Sequence, residues 1–296
     1  MYKIAILGSE NSHARRFSKI IHEGHPLLGG VPYSDFQVIG ICGDSDDENE
    51  YLQKTYGIAE VSRDPAHWVG KVDAVMVTAR HGGKHLQYAR EYIEAGVPAF
   101  IDKPITIDPL EAIELIRLAK KHSVPLCGGS SYAFVDDVQY MKQIANSGKP
   151  GNLLGGSVSA PIDMKNNWGD FFFYSQHLVQ IMMEIFGYDV ESVIARERGD
   201  TVTFLARYQN FDVTGHYGAN CSATIYGKSG IWHRNIDFGT DAYLSSFHRF
   251  EHMVRTGKMP GTYEDLIKPV FVLNALHQSL STGQEVPVQS YAMESL

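Results

Sequence analysis

Five short apolar runs alternate with amphipathic stretches over residues 1–130, and this alternation constrains the fold more than any other feature of the chain. The runs are KIAILG (3–8), FQVIGIC (36–42), VDAVMVTA (72–79), VPAFID (97–102) and VPLCGG (124–129). An apolar run bounded by turn residues is the signature of a strand buried on both faces, and helices between such strands make βαβ units. Phe17, Ile20 and Ile21 recur at helical spacing, and Leu110, Ile113 and Ile116 recur every third residue after an Asp108–Pro109 helix start. The pattern predicts an α/β fold: a Rossmann-type doubly wound parallel sheet over residues 1–126.

Strand and helix alternate up to Ser130, and beyond it the pattern changes. After a helix near Val135 to Ala145 and the turn GKPGN come strand-like segments: LLGGSVSA, ESVIARE, TVTFLARY, DVTGHYG, CSATIYG and IWHRNIDF. One helix near Phe171 to Phe186 interrupts them, and two more close the chain. Consecutive strands joined by short turns imply a mostly antiparallel open sheet. Residues 127–296 therefore read as an α+β domain for substrate binding and oligomerisation, with the crevice between the domains as the default site. Val202, Phe204, Leu205, Tyr208 and Ile225 are candidates for an apolar outer sheet face that pairs with another copy. No internal repeat or low-complexity segment is present.

Composition narrows the function classes. The net charge of −8 leaves no excess of Lys and Arg to meet a phosphate backbone, so no nucleic-acid partner is expected. MYKIAILG already reads as a strand, and no apolar run approaches the roughly 20 residues of a membrane span. The expectation is a soluble, cytoplasmic chain with no membrane partner. Cys42, Cys127 and Cys221 are odd in number and outside any C-x-x-C spacing, which predicts reduced packing residues. His81 and His85 stand four apart and could share a helix face, but no H-E-x-x-H or Cys cluster accompanies them, so no metal site is assigned.

The first strand runs into LGSENSHARRF (7–17), where a dinucleotide fingerprint reads G-x-G-x-x-G. Gly8 supplies the first glycine, while Glu10 and His13 hold the other two places. At about 5 Å and an effective dielectric near 20, the Glu10 carboxylate would repel a pyrophosphate charge by roughly 3 kcal/mol, enough to weaken binding more than about a hundredfold. That is an upper bound, since a solvent-facing rotamer and salt both reduce it. Ser9, Asn11 and Ser12 are N-cap types, and the helix dipole adds about half a positive charge, so the loop still favours an anion. His13, Arg15 and Arg16 in the first helical turns suit contact with a phosphate or a neighbouring acid.

The second strand ends in GICGDSDDENE, with Asp44 just after Gly43 and no cation before Lys54. An acid there accepts a ribose 2′-hydroxyl and repels a 2′-phosphate, favouring NAD over NADP. Ahead of that strand HPLLGGVPYSD inserts a Pro- and Gly-rich loop that could cover the adenine side.

The stretch AVMVTARHGGKHLQYAREYIEAGVPAFIDKPIT (74–106) resembles the Gfo/Idh/MocA family, named for glucose-fructose oxidoreductase and inositol dehydrogenase. It has that family's late Rossmann strand, the helix with an early His85, the EAG helix end and an E-K-P-type motif as Asp102, Lys103 and Pro104. EAIELIRLAKKHSVPL, GKPGNLLG, IYGKSGIW and SLSTGQEVPV extend the resemblance over nearly the whole chain. It implies an NAD-dependent dehydrogenase acting on the CH–OH group of a sugar, polyol or related hydroxy compound, assembled as a homodimer or homotetramer through the second-domain sheet. Such chemistry needs a base for the hydroxyl proton and a polar group at the developing alkoxide. The resemblance implies Lys103 and His177 at the reacting carbon, and Gly8, Ser9, Glu10, Asn11, Ser12, His13, Asp44, Thr78, His81, His85, Asp102 and Lys103 around the cofactor.

A second family motif reads G-G-G and then D-x-x-x-H-x-x-D; here NWGDFFFYSQHLVQ (167–180) keeps Gly169 and His177 but puts Phe173 and Gln180 at the acidic positions. A carboxylate one turn before the histidine would orient the imidazole and raise its pKa, and a phenyl ring does neither. Asp170 lies nearly two turns away, about 10 Å along the helix. Tyr174, on the same face, is the candidate second hydroxyl donor. The plain alternative for His177 is a packed residue among Leu178, Ile181 and Phe186. Two other functions stay open: a non-catalytic nucleotide- or sugar-binding sensor or assembly subunit, and a lyase or epimerase using bound NAD.

Overall fold

The computed structural model describes residues 1–239 and 241–289. The chain forms two compact units, one of Met1–Thr106, Leu110–Gly129 and Tyr243–Tyr263, the other of Ile107–Pro109, Ser130–Ala242 and the chain from Glu264.

In the first unit the order is β1 (Tyr2–Leu7), α1 (Ser12–Glu23), β2 (Phe36–Cys42), α2 (Asp46–Tyr56), β3 (Glu60–Ser62), β4 (Ala74–Val77), α3 (His85–Glu94), β5 (Ala99–Asp102), α4 (Pro109–His122) and β6 (Leu126–Gly129). The sheet runs β3-β2-β1-β4-β5-β6 with every pair parallel. The strand order reverses between β1 and β4, and ligands of such sheets bind at the carboxyl ends beside that switch point. β4, β5 and β6 are buried along their whole length, which is why they read as continuous apolar runs. β3 was invisible to that reading because EVS is exposed and edge-placed.

On α1 the predicted face is the buried one: Phe17 is fully buried and meets Phe100 edge-on at 5.2 Å, with Ile20 and Ile21 beside it. Each such side chain contributes about 1.5–3 kcal/mol. On α4 the three-residue spacing misleads. Leu110 is 65% exposed, and the buried residues are Ala112, Ile113, Leu115, Ile116, Leu118 and Ala119. A strict step of three drifts around a helix of 3.6 residues per turn.

The second unit contains α5 (Asp136–Asn146), β7 (Leu153–Ala160), α6 (Phe171–Phe186), β8 (Ser192–Arg198), β9 (Thr201–Arg207), β10 (Asp212–Tyr217), β11 (Ser222–Gly227) and β12 (Gly230–Asn235). After them come α7 (Asp241–Thr256), α8 (Tyr263–Thr282) and β13 (Val286–Pro287). The sheet order is β12-β11-β7-β10-β9-β8-β13, with β7 and β10 as its parallel pair and the others antiparallel. Leu178, Met182 and Ile185 of α6 pack in one core with the inner sheet face.

That core overturns the expected outer face. Val202, Phe204, Tyr208 and Ile225 are buried in it, and of the five candidates Leu205 alone is half-buried. β9 alternates strictly, so the outward residues are the intervening ones. Among them Thr203 meets His216 Nδ1 at 3.1 Å, and on β11 Thr224 meets His233 Nδ1 at 2.9 Å, beside the outward Leu205 and the exposed Tyr226 and Ile231.

From Tyr243 onward α7 belongs to the first unit. Phe247, Phe250 and Met253 are fully buried in its core with Phe17, Phe36 and Phe100. The HPLLGGVPYSD insertion meets this helix: the Tyr33 ring lies 4.8 Å from Phe247, and Asp35 pairs with Arg255. No described helix is long and apolar enough to cross a membrane.

Candidate functional site

The loop after β1 is held by hydrogen bonds to the ends of both neighbouring strands. Gly8 N and Ser9 N donate to Cys42 O at 2.7 and 3.1 Å, and Thr78 Oγ1 donates to Gly8 O at 3.0 Å. Gly8 has φ 119°, and a Cβ there would lie 2.1 Å from Ala79 N. The first glycine is thus required by the turn and by the close passage of the chain after β4. Asn11 caps α1, its Oδ1 accepting from His13 N at 3.2 Å.

Glu10 does not turn its carboxylate onto the helix amides. Its Oε1 accepts from Arg80 N at 3.1 Å, while Oε2 is buried without a hydrogen-bond partner, as is Ser9 Oγ. Arg15 meets a neighbouring acid: its Nε and Nη2 donate to Glu48 of α2, both at 2.6 Å.

His13, at the third glycine position, reaches back to β5. Its Nδ1 lies 2.5 Å from Asp102 Oδ2, Asn11 Nδ2 donates to the same oxygen at 3.0 Å, and Lys103 N donates to Oδ1 at 2.7 Å. Asp102 is fully buried. Burial alone would push its carboxyl up; His13 and Lys103 more than reverse this and hold it below the usual carboxylate value. Lys103 is 3% exposed. Burial lowers its amine pKa, Asp102 opposes that, and Arg80 adds to it. The sequence reading allowed His13 a neighbouring acid but did not identify it as Asp102, nor foresee that Asn11 binds the same oxygen. The substitution of a glycine by an imidazole was the one signal available.

The corner after β2 is less acidic than the local sequence suggests. Asp44 is exposed, but Lys84 Nζ donates to it at 2.5 Å and Arg63 Nη1 lies 3.9 Å away. Hydrogen bonding to Lys84 holds the Asp44 carboxyl below its ordinary value. Both cations come from segments distant in sequence, so the run around Asp44 concealed them. His81 caps the short turn Gly82–Lys84, its Nδ1 accepting from Gly83 N at 3.1 Å, so it precedes α3 and shares no helix face with His85. His85 is fully buried between Ala79 O, 2.8 Å from Nε2, and Ile105 O, 3.2 Å from Nδ1; burial lowers its pKa. Both its ring nitrogens face carbonyls, and no metal-ligand cluster occurs among the described residues. Cys42, Cys127 and Cys221 are free and buried, each thiol pushed up to about 12 by burial.

In the second unit His177 is 4% exposed. Ser130, next in sequence after β6, places Oγ 2.7 Å from His177 Nδ1. Ser130 N donates to Gln180 Oε1 at 2.7 Å, and Gln176 Nε2 donates to the same oxygen at 2.9 Å. Tyr132 stacks on the imidazole at 4.2 Å and on Phe238 at 3.7 Å, while Tyr174 meets the imidazole edge-on at 4.9 Å. Phe173 is buried and offers no acceptor; the Asp170 carboxylate instead accepts from Asn166 N at 3.1 Å. Ser130 and Tyr132 were not foreseen, since they lie some 45 residues from His177 and carry no periodic signal.

A parallel sheet in the order 3-2-1-4-5-6, with a glycine turn and a capped helix after its first strand, defines a nucleotide-binding Rossmann unit, here joined to a second unit built on a mixed, mostly antiparallel sheet. Residues 2–129 match the Gfo/Idh/MocA model, described as an oxidoreductase family with an NAD-binding Rossmann fold. The whole chain shares its fold with solved structures of low identity. Scyllo-inositol dehydrogenase from Lactobacillus casei, with bound NAD(H) and scyllo-inositol, superposes with TM-score 0.85 at 18% identity over 98% of this chain and 100% of that one. Myo-inositol 2-dehydrogenase from Lactobacillus plantarum gives 0.84 at 16% identity over 97% and 99%. An oxidoreductase from Agrobacterium radiobacter, in complex with NAD+, L-tartaric acid and magnesium, gives 0.77 at 15% over 97% and 98%. No curated protein matches the chain in sequence.

The residues present fit the family's dinucleotide. Ser9 Oγ is a buried hydroxyl without a partner in the loop at the switch point, free to donate to a phosphate, and α1 opens there behind a polar cap. The Glu10 charge is the feature that opposes a pyrophosphate, and its bond to Arg80 N ties it to the chain after β4.

Proposed function

We propose that the protein is an NAD-dependent oxidoreductase transferring a hydride between nicotinamide and a secondary alcohol of a sugar, polyol or related hydroxy compound. The observation that carries this is Lys103: a buried amine with a lowered pKa, next to a clamped Asp102, in a segment matching an NAD-binding family. The loop from Gly8 to His13, with the positive end of α1, would hold the pyrophosphate, and Asp44 would accept from the adenosine ribose. Bound NAD supplies the hydride acceptor. Lys103 hydrogen-bonds the reacting oxygen and stabilises the developing alkoxide, His177 takes the hydroxyl proton, and Tyr174 gives a second hydroxyl contact. The two inositol dehydrogenases among the structures of like fold support a cyclic polyol as the first substrate to try. A homodimer or homotetramer through the Thr- and His-lined outer sheet face completes the proposal.

The test is a fluorescence titration with NADH and NADPH, followed by a screen of scyllo-inositol, myo-inositol and sugars with NAD for growth of reduced-nicotinamide absorbance. NADH binding and turnover, lost in Lys103→Ala with NADH affinity kept, is the expected result. Failure to bind either nucleotide would sink the proposal. The Glu10 carboxylate in the phosphate loop favours one second reading, a non-catalytic nucleotide-binding member, for which binding without turnover on any substrate is the mark.

A further inference from the structure

We infer that Lys84 is a specificity-determining residue of the cofactor site: with Arg63 it offsets Asp44, so that the corner after β2 takes the 2′-phosphate of NADP(H) as well as the 2′-hydroxyl of NAD(H). This rests on the reading that the first unit holds a nicotinamide dinucleotide. An acid at the tip of the second strand favours NAD by accepting the ribose hydroxyl and repelling a phosphate there. That rule assumes that the acid stands alone. Here Lys84 Nζ donates to Asp44 Oδ2 at 2.5 Å, and Arg63 Nη1 lies 3.9 Å from Asp44 Oδ1 while its Nη2 donates to Asp46. Two cations and two carboxylates therefore share the corner, and their charges cancel.

The place of Lys84 is built into the fold. His81 Nδ1 accepts from Gly83 N at 3.1 Å and His81 O accepts from Lys84 N at 3.0 Å, which fixes the turn that carries the lysine into α3. A Cβ on Gly82 would fall 2.5 Å from Pro104 Cγ, so glycine lets this turn lie close to the chain after β5. Hydrogen bonding to Asp44 raises the Lys84 amine above its ordinary value, and the ammonium stays charged at neutral pH. Asp44 and Arg63 are exposed, and an ion pair open to water is weak and readily exchanged. A phosphate, with a larger charge and three acceptor oxygens, displaces a carboxylate from such a lysine and leaves it a stronger bond. Ser9 adds a donor: its Oγ is fully buried without a partner and lies against Gly43, where a Cβ would fall 1.9 Å from it. Lys84, Arg63 and Ser9 thus offer N–H and O–H donors to an acceptor-only phosphate, while Asp44 is the acceptor for a hydroxyl.

The test titrates the full-length protein with NADH and NADPH by nicotinamide fluorescence, then displaces each with 5′-AMP and adenosine 2′,5′-bisphosphate, which probe the corner without the nicotinamide. Wild type is expected to bind the two dinucleotides within about tenfold of each other, where an unopposed carboxylate would separate them by more than about a hundredfold. Lys84→Ala should weaken NADPH and adenosine 2′,5′-bisphosphate by about tenfold or more while NADH and 5′-AMP stay within about threefold, which also reports that the variant is folded. Lys84→Arg, which keeps the charge, should restore NADPH binding, and Asp44→Asn should make NADPH the tighter ligand. A wild-type preference for NADH above about a hundredfold, or an NADPH-to-NADH ratio unchanged in Lys84→Ala, overturns the inference and leaves the dehydrogenase reading standing. Should Lys84→Ala fail to fold, the wild-type ratio still decides. Binding of neither dinucleotide sinks both.

Discussion

Lys103 is under opposing demands. Burial disfavours its ammonium, and Asp102 recovers only part of that, so the folded protein releases the lysine proton at a lower pH than the unfolded chain does. Between those two values the unfolded state holds more protons. Lys103 therefore costs stability at neutral pH, and the cost is relieved as pH rises towards the ordinary lysine value of 10.5. Lys103→Met keeps the apolar stem and removes the charge, while Asp102 retains His13, Asn11 and a backbone amide. Turnover is expected to fall by about 10²–10⁴-fold. Thermal melts at pH 7 should show no loss of stability, and any gain over wild type should shrink towards pH 10. A melting point several degrees below wild type at pH 7 would mean that the Lys103–Asp102 attraction outweighs burial. Asp102 has the opposite sign: its depressed carboxyl stabilises the fold above the unfolded value of 3.8, and that contribution is lost as pH falls through its folded value.

At the scale of the element, the loop between β1 and α1 shows what sequence can and cannot disclose. The strand, the Asn11 cap and the buried face of Phe17, Ile20 and Ile21 were legible because each is a local preference or a periodicity. The direction of Glu10 and the grip of His13 on Asp102 were not, because they join residues 70 and 89 apart in the chain. Local pattern reports which face is apolar; it does not report which distant backbone amide lies within reach. Leu110 on α4 and the inward-facing Val202, Phe204 and Ile225 show the same limit, since apolar character alone does not say which side is covered. The Glu10 geometry has a measurable consequence. Glu10→Gln keeps an oxygen for Arg80 N and removes the charge, so NADH should bind roughly threefold to tenfold tighter at low ionic strength. The gain should fall below about twofold in ~0.5 M salt, where the Debye length is shorter than 5 Å. Unchanged affinity at low salt would show that the carboxylate is already too far from the pyrophosphate to matter.

At the scale of the molecule, the nucleotide-binding unit is not contiguous. Its sheet and most of its helices lie within residues 1–129, yet Tyr243–Tyr263 returns to it after six of the seven strands of the second sheet. No linear reading could assign that helix, because an amphipathic face does not name its partner. Phe247 meets Phe36 edge-on at 6.0 Å, Phe250 meets Phe100 edge-on at 6.4 Å, and both are fully buried with Met253. Each of these side chains contributes about 1.5–3 kcal/mol on burial, so the three together rival the ~5–15 kcal/mol by which a domain is stable at all. A fragment of residues 1–129, which spans the family match, should therefore be compact but not cooperatively folded. Circular dichroism is expected to show helix and strand without a sharp thermal transition, and the fragment should bind a hydrophobic dye. Joining residues 243–263 to it through a flexible linker should restore a cooperative melt. A sharp transition and NADH binding by 1–129 alone would show instead that the strand order and the β1 loop suffice, and that α7 covers a core already stable without it.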